Sequence, residues 1–441
     1  MSEKLRYLLS KLVRKTWWRC ALFSLFALLA VALSAVVGPS IPQSVAMQLG
    51  SESIDSLLGI LASSMLTVAI FSATTMVASF SAVSNSATPR ASQLLIEDST
   101  VQNTLAAFIG AFLYSVIALV GLHAHVYGEG GRLVLFGFTL VILFVVVVVL
   151  LRWIDYLSVL GRLGETIHRV EQATKQAMAQ RLAKPWLGGQ PQAEGTRGLH
   201  AVQAPTTGFV QHVSMDLLQR RAEALGTTLH LHVLPGAFVE PSVVLASCDA
   251  PLGEEDRQAI ADALVIGTGR SFDHDPRFGL VVMGEIAARA MSASVNDPGT
   301  ALDVMATAVK TLVFWIETQR NGVAEARTPG KHKNNKGKGR AQDADAEAGP
   351  LFDRVSAPAL REAGMVEDVF APLARYGAEA VEVGVVLQRA LASVRRMNHA
   401  PFNGPLEELS RYAIARAAHA GAMEADLRIL REAALPRAQE H

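Results

Sequence analysis

Two short stretches hold the residue types that do chemistry. "GRSFDHDPRFG", residues 269–279, sets Arg270, Asp273, His274, Asp275 and Arg277 in one loop. Alternating signs over so few positions suit an internal salt-bridge network or a loop clasp. "SASVNDPGTALDV", residues 292–304, interrupts an apolar run with Ser292, Ser294, Asn296, Asp297 and Thr300. Helical spacing then resumes at Leu302 and Met305. A Ser/His/Asp triad can be drawn from Ser292, His274 and Asp297, but Ser292 lacks the G-x-S-x-G elbow that would expose a nucleophile. No residue is therefore assigned a catalytic role, and no cofactor is expected. Asp297 followed by Pro298 reads as a helix N-cap with proline at the first helical position. Beside the cap stands a binding reading, in which Arg270, Asp275, Arg289, Ser292, Asn296, Asp297 and Thr300 form a ligand or coupling site. In it Ser292 and Asn296 hydrogen-bond to Arg270 or Asp275, and Asp297 is tied to Arg270 or Arg289.

Metal chemistry has thinner support. His230 and His232 sit two apart on an expected strand and share a face, with His212 nearby. A coherent site would add a carboxylate or thiol at strand spacing, and Cys248 is the only thiol available. An ordinary polar strand face is the expectation, with no metal. Cys20 and Cys248 are the only cysteines, which excludes a disulfide framework. Forty basic and forty acidic residues cancel, so no nucleic-acid partner is expected.

These loops follow a membrane-type region. Half of the 441 residues are hydrophobic, and they are densest before residue 152. Uncharged runs at 21–37, 57–84, 104–122 and 133–151 are each near the roughly 20 residues that cross a bilayer. The spacing predicts four transmembrane helices in a domain spanning 1–153. Lys4, Arg6, Lys11, Arg14, Lys15 and Arg19 precede the first run, and Arg152, Arg162, Arg169, Lys175, Arg181 and Lys184 follow the last. The excess of positive charge on these flanks places both termini in the cytoplasm of a bacterial inner membrane. Trp17, Trp18 and Trp153 read as interface anchors, and Tyr114 as a mid-span packing residue. The second run is rich in hydroxyls. Ser64, Thr67, Ser72, Thr75 and Ser79, with Pro89 and Arg90 after them, are candidates for helix packing or for the wall of a wet pathway.

Residues 154–184 read as an amphipathic helix continuing the fourth span, and 187–206 as a Gly/Pro-rich linker; together they occupy 154–206. Strand signals at 207–213, 227–234 and 242–247, with "PGAF" between them, predict a small β-module over 207–250. From Glu254 the spacing is helical again: Ile260, Leu264 and Val265, then Leu280, Met283, Ile286 and Ala290, then Leu302 to Ile316. That makes 251–325 a helical region around the NDPG turn. Residues 326–350 lack large apolar side chains and read as a disordered linker. Two or three further helices fill 351–441.

The module's "VLPGAFVEPSVVLAS" is similar to the barrel-sandwich fold of biotinyl and lipoyl carriers. No Lys lies between Lys184 and Lys310, so covalent carrier chemistry is excluded. A broader resemblance rests on "FSATTMVASFSAVSNSATPR", "FIGAFLYSVIAL", "LPGAFV" and "DPRFGLVVMGEIAARAMSASVNDPGTA". With these the chain resembles a bacterial family of integral membrane proteins known as domain of unknown function 2254. Asp275, Phe278, Gly279, Arg289, Ser292, Asn296, Asp297, Pro298 and Thr300 fit that family's pattern; Met291, Ser292 and Ala293 stand where it usually has Leu-Ser-Pro. The resemblance implies the architecture and no activity.

The expectation is an α-helical membrane protein with four transmembrane helices, a barrel-sandwich-like β-module and a helical bundle. Its expected partners are the lipid bilayer, further copies of itself and a small-molecule or ion ligand of unknown identity. An oligomeric channel or transport-related role leads, and a membrane-tethered sensor or scaffold binding near 270–300 is the alternative.

Overall fold

The second apolar run has no charged residue between Asp55 and Arg90. Nothing in it opposes a long helix, and α2 runs Ser53–Ser86. The computed structural model describes Tyr7 and residues 16–37, 53–96, 98–327 and 351–434. The chain divides into two compact units, Leu8–Thr166 and Met1–Tyr7 with Ile167–His441.

In the first unit α1 (Thr16–Val37) precedes α2, followed by α3 (Pro89–Ile96), α4 (Ser99–His123) and α5 (Glu129–Leu157). The helix starts have local causes. Pro89 opens α3, and Asp98 caps α4 by accepting from the Thr100 N–H at 2.6 Å. Helix α4 is the hub, burying Phe108, Ala111, Tyr114 and Ala118. Tyr114 packs as its mid-span position predicts, its hydroxyl 3.0 Å from Thr139 Oγ1 and donating to the Leu135 carbonyl on α5. Trp153 differs from expectation: it is buried and stacked on Tyr156, not held out as an anchor. Trp18 is half-buried, and the side chain of Trp17 lies outside the described residues.

Among the described residues four helices are long and apolar enough to cross a membrane: Ile54–Ser86, Ser99–His123, Gly130–Leu157 and Pro298–Gly322. The first three coincide with expected spans. The expected first span falls on α1, several of whose side chains lie outside the described residues. Pro298–Gly322 was expected in a bundle, and there it buries Val304, Met305, Leu312, Trp315 and Ile316 while Asp303, Lys310 and Glu317 stay exposed. A stripe of large apolar side chains can match a span in average hydropathy; the charged outer face marks the bundle helix.

The second unit departs further from the sequence reading. A five-stranded sheet runs β1-β8-β4-β6-β2 and a three-stranded sheet β5-β3-β7. Their strands are β1 (Gly189–Pro191), β2 (His200–Gln203), β3 (Gly208–Val213), β4 (Leu229–Leu231), β5 (Phe238–Val239), β6 (Val244–Cys248), β7 (Leu264–Gly267) and β8 (Phe352–Ala357). Strand β8 pairs parallel with β1 and β4, while β6 runs antiparallel to β4 and β2. The barrel-sandwich expectation over 207–250 therefore gives way to a mixed α/β arrangement. Helix α7 (Met215–Leu225) separates β3 from β4, and its Met215, Leu218 and Ala222 join Leu229, Leu231 and Val355 in one core. The expected linker at 187–206 supplies β1 and β2. Leu264 and Val265 leave the helical face assigned to them and pair with Val213 and His212 in β7.

The expected continuous helix at 154–184 breaks after Leu157, where Gly161 takes φ +85°, and resumes as α6 (Leu163–Ala183). Helix α8 (Glu254–Asp262) packs Ile260 and Ala261 into the sheet core, and the bundle comprises α9 (Phe278–Ala290), α10 (Pro298–Arg327), α11 (Ala363–Tyr376), α12 (Val381–Arg396), α13 (Ala400–His419) and α14 (Glu424–Ala433). Helix α9 buries Leu280, Met283, Ile286 and Ala290, as its spacing predicts. Among the described residues four helices, not two or three, follow β8. The linker expected at 326–350 falls mainly on 328–350, outside the described residues.

Candidate functional site

The "DPRFG" loop builds the densest polar constellation of the second unit. Asp275 is 4% exposed and holds two groups at once. Its Oδ2 accepts from Arg270 Nε at 2.7 Å, and its Oδ1 from the Arg277 backbone N–H at 3.1 Å. The Arg270 guanidinium also lies 5.2 Å from the Phe278 ring. Arg277 reaches α11, where Nε and Nη2 grip both oxygens of Asp368 at 2.7 and 2.9 Å. This fork-to-fork pairing is the strongest geometry for a guanidinium and a carboxylate. It raises the Arg277 pKa above its ordinary value, hydrogen bonding to Asp368 outweighing burial.

Glycines make room for the network. A Cβ on Gly236, in the Pro-Gly turn before β5, would fall inside the Asp275 carboxylate. One on Gly364 would meet the Arg277 guanidinium. The "LPGAF" turn and the "DPRFG" loop, far apart in sequence, are thus two halves of one construction. From α6, Arg181 donates Nη2–H to the His274 carbonyl at 3.3 Å. The rings of His274 and His212 lie 4.8 Å apart, and Tyr7 stacks on His212 at 4.5 Å.

The second polar stretch lies elsewhere. The 13 residues of α9 separate its two ends by about 20 Å. Asp297 caps α10: Oδ1 accepts from the Thr300 N–H at 3.1 Å and Oδ2 from Thr300 Oγ1 at 2.6 Å. These bonds hold the Asp297 carboxyl below the usual carboxylate range, the hydroxyl bond first. Ser292 Oγ donates to the Arg289 carbonyl at 2.7 Å, inside its own turn. Asn296 takes φ +45°, a conformation asparagine tolerates better than most residues. Arg289 has a buried Nε with no hydrogen-bond partner among the described residues. Of the residues grouped from sequence, the structure joins Arg270 to Asp275 and Asp297 to Thr300. It ties Ser292 and Asn296 to neither Arg270 nor Asp275, and it pairs Asp297 with neither arginine. His274, Ser292 and Asp297 form no triad.

The strand histidines are structural donors and acceptors. His230 Nδ1 lies 2.8 Å from Ser356 Oγ and His232 Nε2 lies 2.7 Å from Ser247 Oγ, while His212 sits on the other sheet. Burial first, then His230 and Arg197, lower the His232 pKa. Among the described residues no group of three His, Cys, Asp or Glu side chains could hold a metal ion.

In the membrane unit the hydroxyl candidates turn back on their own helix. Thr67 and Thr75 donate to the carbonyls of Ser63 and Phe71, each at 2.9 Å. Ser64 is exposed, Ser79 is half-buried beside Gly161, and Ser72 is buried with no hydrogen-bond partner among the described residues. Pro89 starts α3, and Arg90 is exposed.

One cluster has no sequence signal. Glu362 before α11 accepts from Trp315 Nε1 at 2.9 Å and Gln319 Nε2 at 3.2 Å on α10, and its Oε2 lies 2.5 Å from His399 Nε2 before α13. Burial pushes the Glu362 carboxyl up, but hydrogen bonds from His399, Trp315 and Gln319 together bring it below its ordinary value. Three separate segments meet there, so no local spacing could reveal it.

Apolar spanning-length helices with an attached α/β unit define a membrane protein, mostly helical, with a small sheet region. The chain belongs to the family described as "Predicted membrane protein (DUF2254)", which matches residues 13–393. It is similar to uncharacterized proteins of Mycobacterium tuberculosis (strain H37Rv) and Mycobacterium bovis, each 35% identical over 109 residues. That alignment covers 23% of this chain and 21% of each relative, so the match spans about a fifth of their length. No solved structure matches the chain.

Proposed function

We propose that the chain is a non-enzymatic, homo-oligomeric channel or transport-related protein of the bacterial inner membrane, with both termini in the cytoplasm. One observation carries this reading: the contrast between the outward faces of α2 and α5. Helix α5 exposes Val141, Phe144 and Leu151, side chains suited to lipid. Helix α2 sets Ser63, Thr67, Thr74 and Ser81 among the exposed Ile60, Ile70, Phe71 and Val77, so hydroxyls interrupt its outward apolar face as none interrupt that of α5. Hydrocarbon offers nothing to the hydroxyl lone pairs left after the bonds to the helix's own carbonyls; water or a second copy does. The basic flanks of the first and last apolar runs support the orientation.

The purified full-length chain in planar bilayers should show discrete conductance steps. Thr67→Val with Thr74→Val should alter unitary conductance while leaving the melting temperature nearly unchanged. Silent bilayers from verified oligomeric protein would sink the channel reading. A reporter fused after His441 should be active in the cytoplasm, and one inserted near Gln43 in the periplasm.

The sensor or scaffold reading keeps its own observation, the exposed turn at 293–296 beside the partnerless Nε of Arg289. It predicts that Arg289→Ala abolishes capture of a partner and leaves any conductance intact.

A further inference from the structure

Buried charges in proteins are paired, because an ion removed from water without a counter-ion loses far more solvation than packing returns. The second unit obeys this rule at Arg277, which has Asp368, and at Arg270, which has Asp275. At Arg181 no carboxylate among the described residues is in hydrogen-bond contact. That side chain is 8% exposed, and its one hydrogen bond among the described residues goes to the His274 carbonyl at 3.3 Å. Guanidinium offers five N–H donors in a planar fork, so most of this one is unused. The nearest anion helps only by its field: Asp275 accepts from Arg270 and from the Arg277 backbone, not from Arg181. Among the described residues of the cluster, Arg181, Arg270 and Arg277 stand against Asp275 and Asp368. Asp273 is turned toward Ser271, and Glu171, one helical stretch before Arg181, is held by Lys175 at 2.6 Å.

The strain shows in the protonation equilibrium. Burial pulls the Arg181 pKa down to about 10, and the more distant pull of Asp275 only partly offsets it. An arginine retained in this state is either a structural donor to one carbonyl or one side of an ion pair whose other side comes from outside.

We propose that Arg181 is the anchor of an oxyanion-binding site of the phosphate class, formed between α6 and the loop carrying His274 and Asp275. The fork geometry matches a phosphate or phosphate monoester in two parallel N–H···O bonds. The same chemistry is offered by a free phosphate compound and by a phospholipid headgroup, and the experiment separates them. This site lies in the other unit from the hydroxyl face of α2, so it stands or falls independently of conduction.

The test uses the full-length chain in detergent at constant ionic strength, with chloride as the control anion. Inorganic phosphate at millimolar concentration should broaden its own ³¹P resonance and raise the melting temperature by a few degrees. In a second arm, nanodiscs of phosphatidic acid should give the larger shift over phosphatidylcholine discs if the headgroup is the source. Equal melting in the two discs together with a phosphate shift assigns the site to a soluble compound. Arg181→Met should abolish both effects while melting no lower than the unliganded parent, because an apolar side chain relieves an uncompensated buried charge. Arg181→Lys keeps the charge without the fork and should weaken phosphate binding at least tenfold; it decides the matter should the Met variant not fold. The proposal is overturned if neither phosphate nor phosphatidic acid affects the parent. It is equally overturned if the effects survive in both variants, or if Arg181→Met melts well below the parent with no phosphate response in either.

Discussion

The two ends of α9 solve the same problem in opposite ways. At its start, the Asp275–Arg277–Asp368 network joins the loop before α9 to α11, with Arg270 and the Gly236 turn packed around it. At its far end, Ser292, Asp297 and Thr300 satisfy each other or the local backbone, and among the described residues no ion pair leaves the turn. Both ends are rich in polar residues and read alike as sequence. The clasped end binds distant segments together, whereas the capped end only starts a helix. Polar density along a chain does not distinguish long-range fastening from local capping.

The largest effect expected from this difference lies at the clasp. Arg277→Ala or Asp368→Ala should each cost about 2–4 kcal/mol by thermal melting in detergent. That lies somewhat below the roughly 3–5 kcal/mol for breaking a fully buried pair, since Arg277 keeps some contact with water. Replacing both, Arg277→Met with Asp368→Leu, should recover most of the loss. A double variant as unstable as the worse single one would mean that the pair does more than cancel its own charges.

At the capped end the cost should be smaller. Asp297→Ala should lose about 0.5–2 kcal/mol and Asp297→Ser regain most of it. A double-mutant cycle between Asp297 and Arg289 should give coupling under about 0.5 kcal/mol. Stronger coupling would erase the contrast, because the turn would then hold an ion pair that the structure does not contain.

The smallest effect is one of pH. The carboxyl of Glu362 is depressed in the folded chain, so its stabilising contribution is complete above the unfolded carboxylate range of about 4.3. It is lost as pH falls through the lower folded value. Glu362→Gln should therefore flatten the fall in melting temperature between about pH 5 and pH 3. Parallel curves for the two proteins would show that Glu362 titrates no differently folded than unfolded.

Much of the fold is legible along the chain because its causes are local. Four apolar runs, the Asp297–Pro298 cap, strands β3 and β6 and the buried stripe of α9 all follow from spacing within a few residues. So does the clasp character of the 270–277 loop, whose alternating charges already imply internal pairing. What spacing could not reveal depends on residues brought from afar. Strand β8 pairs with β1 and β4 across a separation that no local pattern encodes, which turned an expected small barrel into a mixed sheet. Asp368 lies 91 residues from the arginine it grips. Glu362, Trp315 and His399 meet only when three helices pack. Burial is likewise a tertiary property: Arg181 looks in sequence like one more basic residue flanking a membrane span. Only the packed structure puts it 8% exposed, beside an aspartate already in use. Hydrophobic period and capping act over one or two turns of chain and can be read directly, whereas the pairing of buried charges depends on which distant surfaces exclude water together.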